Sequence, residues 1–177
     1  MRYFIGYELN GISAELVDGL RVLIANEFSV KEALRYPPHL TLFYPFEAEG
    51  DILKECLEKF AETRRGFELK VNGFNSFGEA VWFVDVEQSA ELFELKNELV
   101  EMMKNQLQIS EDTGGRNGTH FHVTLAYKDV TPEKFKLIGE YLKGHLVPIE
   151  NLEVNSVTLF GRNGENWEVV ERFNFRL

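Results

Sequence analysis

Two six-residue stretches of one pattern constrain this chain more than anything else in it. Residues 39–44 read His-Leu-Thr-Leu-Phe-Tyr and residues 122–127 read His-Val-Thr-Leu-Ala-Tyr. Successive side chains of a β-strand point to opposite faces. His39 and Thr41 therefore share one face, and Leu40, Leu42 and Tyr44 share the other. The second copy repeats the arrangement, with His122 and Thr124 set against Val123, Leu125 and Tyr127. The apolar face can bury in a core and leave an imidazole beside a hydroxyl, open to water or a ligand. A lone strand histidine is usually structural. Here two of only four His occupy matched frames 83 positions apart, and that asks for a common cause.

The same offset recurs downstream. Val71-Asn72 and Phe77-Gly78 match Val154-Asn155 and Phe160-Gly161. A constant register over this distance marks an internal duplication, and two copies are too few for a solenoid. The expectation is two lobes related by a pseudo-twofold axis, with the His strands meeting between them. A second match, at an offset of 79, sets Phe4-Ile5-Gly6-Tyr7-Glu8 against Phe83-Val84-Asp85-Val86-Glu87. Unpaired acids avoid a core, so Glu8 and Asp85 should point outward or into the cleft. Strand parity puts Phe4 and Phe83 on the same side, where two rings can stack a base or merely pack beneath a loop.

Local signals fill in the elements. Residues 2–9 read as a strand, Asn10-Gly11 as a turn, and Ser13 as the cap of a helix carrying Leu16, Leu20, Leu23 and Ile24. The prolines of Arg35-Tyr36-Pro37-Pro38 extend the approach to the first His strand. A helix over about 49–64 ends in Arg64-Arg65 before Gly66, and a strand spans 67–77. The second copy repeats this order, with a strand at 80–87, a Ser89-capped helix to about 108 and a polar loop from Ser110 to Thr119. The second His strand (about 120–127) follows, then a helix opened by Thr131-Pro132 and ended by Gly144. Strands near 149–161 and 166–176, joined at Asn163-Gly164, close the chain. The predicted class is α+β, a duplicated β-α-β-α-β unit with one extra strand. Antiparallel sheets should line a central cleft, with the helices outside. Residues 1–177 should form a single bilobal domain, with repeats at roughly 2–78 and 80–161 and a closing strand at 165–177.

Charge and composition narrow the function classes. With 29 acids against 19 bases the net charge is −10. Proteins that hold long nucleic acid usually present a basic surface, so extended duplex binding is not expected, although a pocket can take a short anionic end. No run approaches a membrane span, and the N-terminus meets a charge too early for a signal-peptide core. One cysteine excludes an internal disulfide. A monomeric cytoplasmic protein is the plain expectation.

A pair of imidazoles suits acid–base work near neutrality, because free His titrates near 6.5. One neutral ring can take a proton while the other, charged, donates one. The two Thr hydroxyls can hold a phosphoryl group between them. A strand His-x-Thr lacks the helical His-x-x-x-His spacing of zinc enzymes, so no metal or other cofactor is expected. His120, two residues before His122, complicates this, since His-x-His on one strand face can ligate a metal. Substrate contact or loop polarity is the role assigned to it.

Paired His-x-Thr motifs in a duplicated α+β chain resemble the 2H phosphoesterase superfamily, in particular its 2′-5′ RNA ligase-like group. The likeness spans nearly the whole chain, including the closing Leu159-Phe160-Gly161-Arg162 strand and the Trp167 hairpin. It implies a bilobal fold that hydrolyses 2′,3′-cyclic phosphates without metal, His39 and His122 acting as acid and base and Thr41 and Thr124 holding the phosphate. Several members carry Arg three residues after the second Thr, where this chain has Tyr127. Arg162 and Arg116 are the candidates for the missing positive partner. Substrates implied are RNA ends or small nucleotides. A 2′,5′-oligoadenylate phosphodiesterase would use the same four residues, and a catalytically silent RNA-end or nucleotide-binding module is the alternative from another class.

Overall fold

The computed structural model describes residues 1–112, 119–147 and 149–176. Strand β1 (Arg2–Glu8), helix α1 (Gly11–Phe28), β2 (His39–Glu47), α2 (Gly50–Glu62) and β3 (Phe67–Phe77) make the first repeat. Strand β4 (Val81–Val86), α3 (Ala90–Leu107), β5 (His122–Ala126), α4 (Pro132–Lys143), β6 (Asn151–Val154) and β7 (Ser156–Asn163) make the second, and β8 (Asn166–Asn174) closes the chain. The strands form one sheet in the order β6-β3-β4-β5-β2-β1-β7-β8, antiparallel at every paired edge.

Register makes the duplication visible in space. Leu40 pairs with Val123 and Leu69 with Leu152, so two residues each face their own counterparts 83 positions on. Both pairs therefore lie on the pseudo-twofold axis. The repeats are nonetheless interleaved. The third strand of the first repeat, β3, pairs with β4 of the second, and β7 of the second pairs with β1 of the first. Strand β3 also changes partner along its length. Phe67–Lys70 pair with β6, and the strand joins β4 from Val71 onward. The switch coincides with a register shift between Val71 and Gly73, where Gly73 adopts φ +118, a conformation open mainly to glycine. Because β6 runs into β7 across Asn155 alone, the sheet curls back toward its own edge.

Several local expectations are corrected. The strand foreseen over 149–161 is two strands, since this half of the chain changes partner at Asn155 as β3 does at its bulge. Helix α1 begins at Gly11, with Asn10 rather than Ser13 in the N-cap position and no side-chain cap bond. A short 3₁₀ helix (Glu32–Arg35) precedes the extended Tyr36. Strand β2 continues through Pro45 to Glu47, because the β1–β2 ladder skips between the Ile5–Phe43 and Tyr3–Phe46 pairs and so asks no ladder bond of the proline. Ser89 and Thr131 do cap α3 and α4, accepting from Leu92 N and Lys134 N.

Apolar residues of β1, β2, β4 and β5 pack with the helices into the main core, centred on Ile5, Leu40, Leu42, Val84 and Val123, all 0% exposed. Helix α1 lies on β5 and α3 on β2, so each helix covers the other repeat's His strand. A smaller aromatic cluster, Phe4, Phe160 and Trp167 with Tyr36 against it, is separate from this core. Among the described residues no helix is long and apolar enough to cross a membrane.

Candidate active site

The centre of the sheet is where the two His strands touch, and they touch through the Leu40–Val123 pair. Their outer edges are zipped to β1 and β4, with Glu8 opposite His39 and Asp85 opposite His122. Across the seam, this register directs His39 toward Thr124 and Thr41 toward His122. The two imidazoles thus occupy diagonal corners, a separation of about 7–8 Å between backbone positions. All four side chains are half-buried and line one cavity of about 610 Å³.

Both imidazoles are anchored in the same way. His39 Nδ1 lies 2.7 Å from the Pro37 carbonyl, and His122 Nδ1 lies 2.7 Å from the His120 carbonyl. A carbonyl oxygen can only accept, so each Nδ1 carries the proton and each Nε2 is left for chemistry. Beneath each ring sits a pair of phenylalanines. His39 packs on Phe4 and Phe160 at 4.7 and 5.3 Å between ring centres, and His122 on Phe83 and Phe77 at 4.8 and 4.9 Å. Loss of water around His39 lowers its pKa to about 3, helped by the positive charge of Arg21 and by His122, while the Pro37 carbonyl opposes the shift. Its ring is therefore neutral at pH 7.

Phe4 and Phe83 lie on the imidazole side of the sheet, as parity requires, but only 2% and 1% exposed. They form a floor under the histidines and offer no face to a base. The strand register also shows that they are not equivalent. Phe83 stands opposite Thr124, but Gly6 stands opposite Thr41, two residues off the match suggested by sequence. Gly6 is needed there, since a Cβ would come within 2.5 Å of the Leu40 carbonyl and 3.4 Å of the Phe160 ring. The aromatic residues on the cavity wall are instead Tyr36, Tyr44, Phe77, Phe121 and Tyr127. Tyr44 and Tyr127, set by parity on the apolar face, follow register shifts at Leu42 and Leu125 that reverse it. Phe77 is 39% exposed. Sequence did contain a signal for it, since Phe77 and Phe160 are the matched pair of the duplication.

Other sequence candidates are sorted by position. His120 lines the cavity and its Nε2 is 2.7 Å from Asp85 Oδ1. The equivalent acid, Glu8, is paired with Arg172. Arg162 is exposed at the β7–β8 turn, where its Nε donates to the Gly164 carbonyl at 3.0 Å. It is not among the described residues that line the cavity. Arg116 lies outside the described residues. Among the described residues no group of three His, Cys, Asp or Glu side chains is arranged to hold a metal.

Sequence reasoning passed over Arg21. It sits on the buried face of α1 with Val17, Leu20 and Ile24, and its side chain is 1% exposed. Its Nε donates to the Thr124 carbonyl at 2.8 Å, and Nη1 to the Tyr36 carbonyl at 3.1 Å and to Asp18 Oδ1 at 3.3 Å. Burial lowers its pKa to about 10, with Asp18 opposing, so it stays charged at neutral pH. The second repeat does something similar. Lys96 of α3 donates to the Leu42 carbonyl at 2.9 Å and pairs with Glu111 at 2.7 Å. Each repeat's first helix thus sends a buried cation to the other repeat's His strand. The visible hint was a single charge inside an otherwise apolar helix face.

Comparison with known proteins agrees with this architecture. TT0787 of Thermus thermophilus matches with a TM-score of 0.58 at 16% identity, over 99% of this chain and 98% of that one. E. coli LigT matches over the same shares, in a structure with ATP at a TM-score of 0.59 and 18% identity and in one with 3′-AMP at 0.57 and 19%. A search of the curated proteins by sequence finds no match. The profile of the 2′-5′ RNA ligase superfamily fits residues 11–166, which spans both His-x-Thr strands and β2 to β7 of the interleaved sheet. The chain belongs to the 2′-5′ RNA ligase superfamily, the 2H phosphoesterases.

Proposed function

We propose that this chain hydrolyses 2′,3′-cyclic phosphates, at RNA ends or on small nucleotides, by two-histidine acid–base catalysis. Superfamily membership supports a phosphoesterase-type activity. The observation that carries the finer reading is the matched anchoring of the two imidazoles. Each Nδ1 is held by the carbonyl two residues earlier, so both Nε2 atoms are committed to the same cavity in the tautomer that acid–base transfer needs.

His39, neutral at pH 7, is the base. It takes a proton from water as the water oxygen bonds to phosphorus. His122, entering in its charged form, gives its Nε2 proton to the ribose oxygen as the phosphorus–oxygen bond to that oxygen breaks. Thr41 and Thr124 hydroxyls, directed at the opposite imidazoles by the strand register, hold the phosphoryl oxygens in between. The cavity is wide enough for a nucleotide, and the related E. coli LigT has been crystallised with 3′-AMP and with ATP.

His39→Ala and His122→Ala should each lower turnover of a 2′,3′-cyclic phosphate by roughly 10²–10⁴-fold, the usual worth of a placed acid or base. Near-wild-type turnover in either folded variant would eliminate the mechanism. Nucleotide binding with no turnover in the wild-type protein would instead mark a silent binding module. Turnover should be indifferent to EDTA; loss on chelation with recovery on added zinc would promote His120 and His122 to ligands.

A further inference from the structure

A phosphate diester is an anion, and this chain carries a net charge of −10. The cavity must therefore supply positive charge locally. Among the described residues that line it, Arg21 is the sole Arg or Lys. Sequence had pointed to Arg162, but that side chain is bound at an exposed turn. We propose that Arg21, reaching the cavity from beneath the sheet on helix α1, is the residue that positions the phosphate of the substrate, a proposal that rests on the phosphodiesterase reading given above.

Its placement fits the task. The guanidinium presents five donors in a fixed fork. Nε and Nη1 are spent on the Thr124 carbonyl, the Tyr36 carbonyl and Asp18. Among the described residues Nη2 has no such commitment. The bond to Thr124 places the charge directly behind one of the two hydroxyls that hold the phosphoryl group. Asp18, its ionic partner, is 49% exposed, so water screens the neutralising charge while the buried cation keeps its field within the cavity. The same field reaches His39, which places Arg21 near the reacting atoms from the base's side.

Two roles are separable by experiment, because Lys keeps the charge but not the fork. Arg21→Lys and Arg21→Gln should both lower the thermal midpoint, since each loses the bonds joining α1 to β5 and to the Tyr36 segment. Only Arg21→Gln should lose inorganic phosphate, with binding weakened roughly 10–100-fold, the worth of a charge-assisted hydrogen bond. Arg21→Lys should keep most of that affinity. Equal phosphate affinity in wild type and Arg21→Gln would overturn the proposal, as would equal losses in the Lys and Gln variants, which would leave a purely structural staple. Should the variants not fold, the wild-type protein still decides it. The Arg21 Nε–Hε resonance should move on titration with inorganic phosphate, and an unmoved resonance while cavity backbone amides shift would overturn the assignment. Phosphate binding with no turnover by the wild-type protein would sink the hydrolase reading but not this one.

Discussion

At the scale of single residues, His39 couples the site to the stability of the fold. Its imidazole is boxed by Phe4, Tyr36 and Phe160, and the folded protein holds its pKa at about 3 against about 6.5 in an unfolded chain. The folded state therefore prefers the neutral ring. This contribution is complete above pH ~6.5 and is lost progressively as pH falls from there toward ~3. Chemical denaturation of the wild-type protein at pH 7 and pH 4.5 should show a drop in midpoint that is smaller in His39→Gln. An equal drop in both would mean that the ring is not held neutral. The same shift has a kinetic sign. The free enzyme needs His39 neutral, so the acid limb of kcat/KM should lie well below 6.5, whereas an unperturbed base would place it there. Strand parity alone put the four His and Thr side chains on one face, so this much of the site was legible in sequence. The lowered pKa was not, since it depends on Phe160 and Tyr36, brought beside His39 by the fold.

At the scale of elements, the cavity wall depends on a segment whose leading 3₁₀ helix no local signal announced. Tyr36 stacks on Trp167 at 5.9 Å and meets Tyr127 edge-on at 5.9 Å, and burial together with the Tyr36 hydroxyl holds the Tyr127 phenol well above its ordinary range. The 3₁₀ helix that leads into Tyr36 is capped from far away in sequence. Asp129 Oδ2 accepts from Lys31 N at 2.6 Å and from Glu32 N at 3.2 Å. Such a cap could not be read from the chain, because donor and acceptor lie in different repeats, whereas Ser89 and Thr131 cap within their own helices and were legible. Asp129→Ala should cost about 0.5–2 kcal/mol, as lost caps do. With Tyr36 loosened and both histidine anchors intact, KM should rise several-fold with little change in kcat. A fall in kcat with KM unchanged would show that the segment acts on the chemistry and not on binding.

At the scale of the whole molecule, the 83-residue register correctly implied a pseudo-twofold axis with the His strands on it. It could not reveal which strands pair, because a repeat can fold on itself or trade its last strand with its copy, and both give the same sequence pattern. The trade is what the chain does. Strand β3 takes its ladder bonds from β4 and β6, and β7 takes its own from β1 and β8. The helices are traded too, α1 resting on β5 and α3 on β2. A fragment comprising residues 1–78 would leave β3 with no partner strand and α1 without β5 and α4, two of the elements it packs against, uncovering a face whose Val17, Leu20 and Ile24 are nearly inaccessible in the intact chain. The buried Arg21 would lose its Thr124 acceptor. Neither repeat should therefore fold alone. Residues 1–78 and 79–177, prepared separately, should each lack a cooperative thermal transition and dispersed amide resonances. Mixed in equal amounts, they should regain both, because every ladder that crosses between repeats can form without a covalent link at Gly78. Cooperative unfolding of the 1–78 fragment by itself would mean that the first repeat has a core of its own and that the traded strands only decorate it.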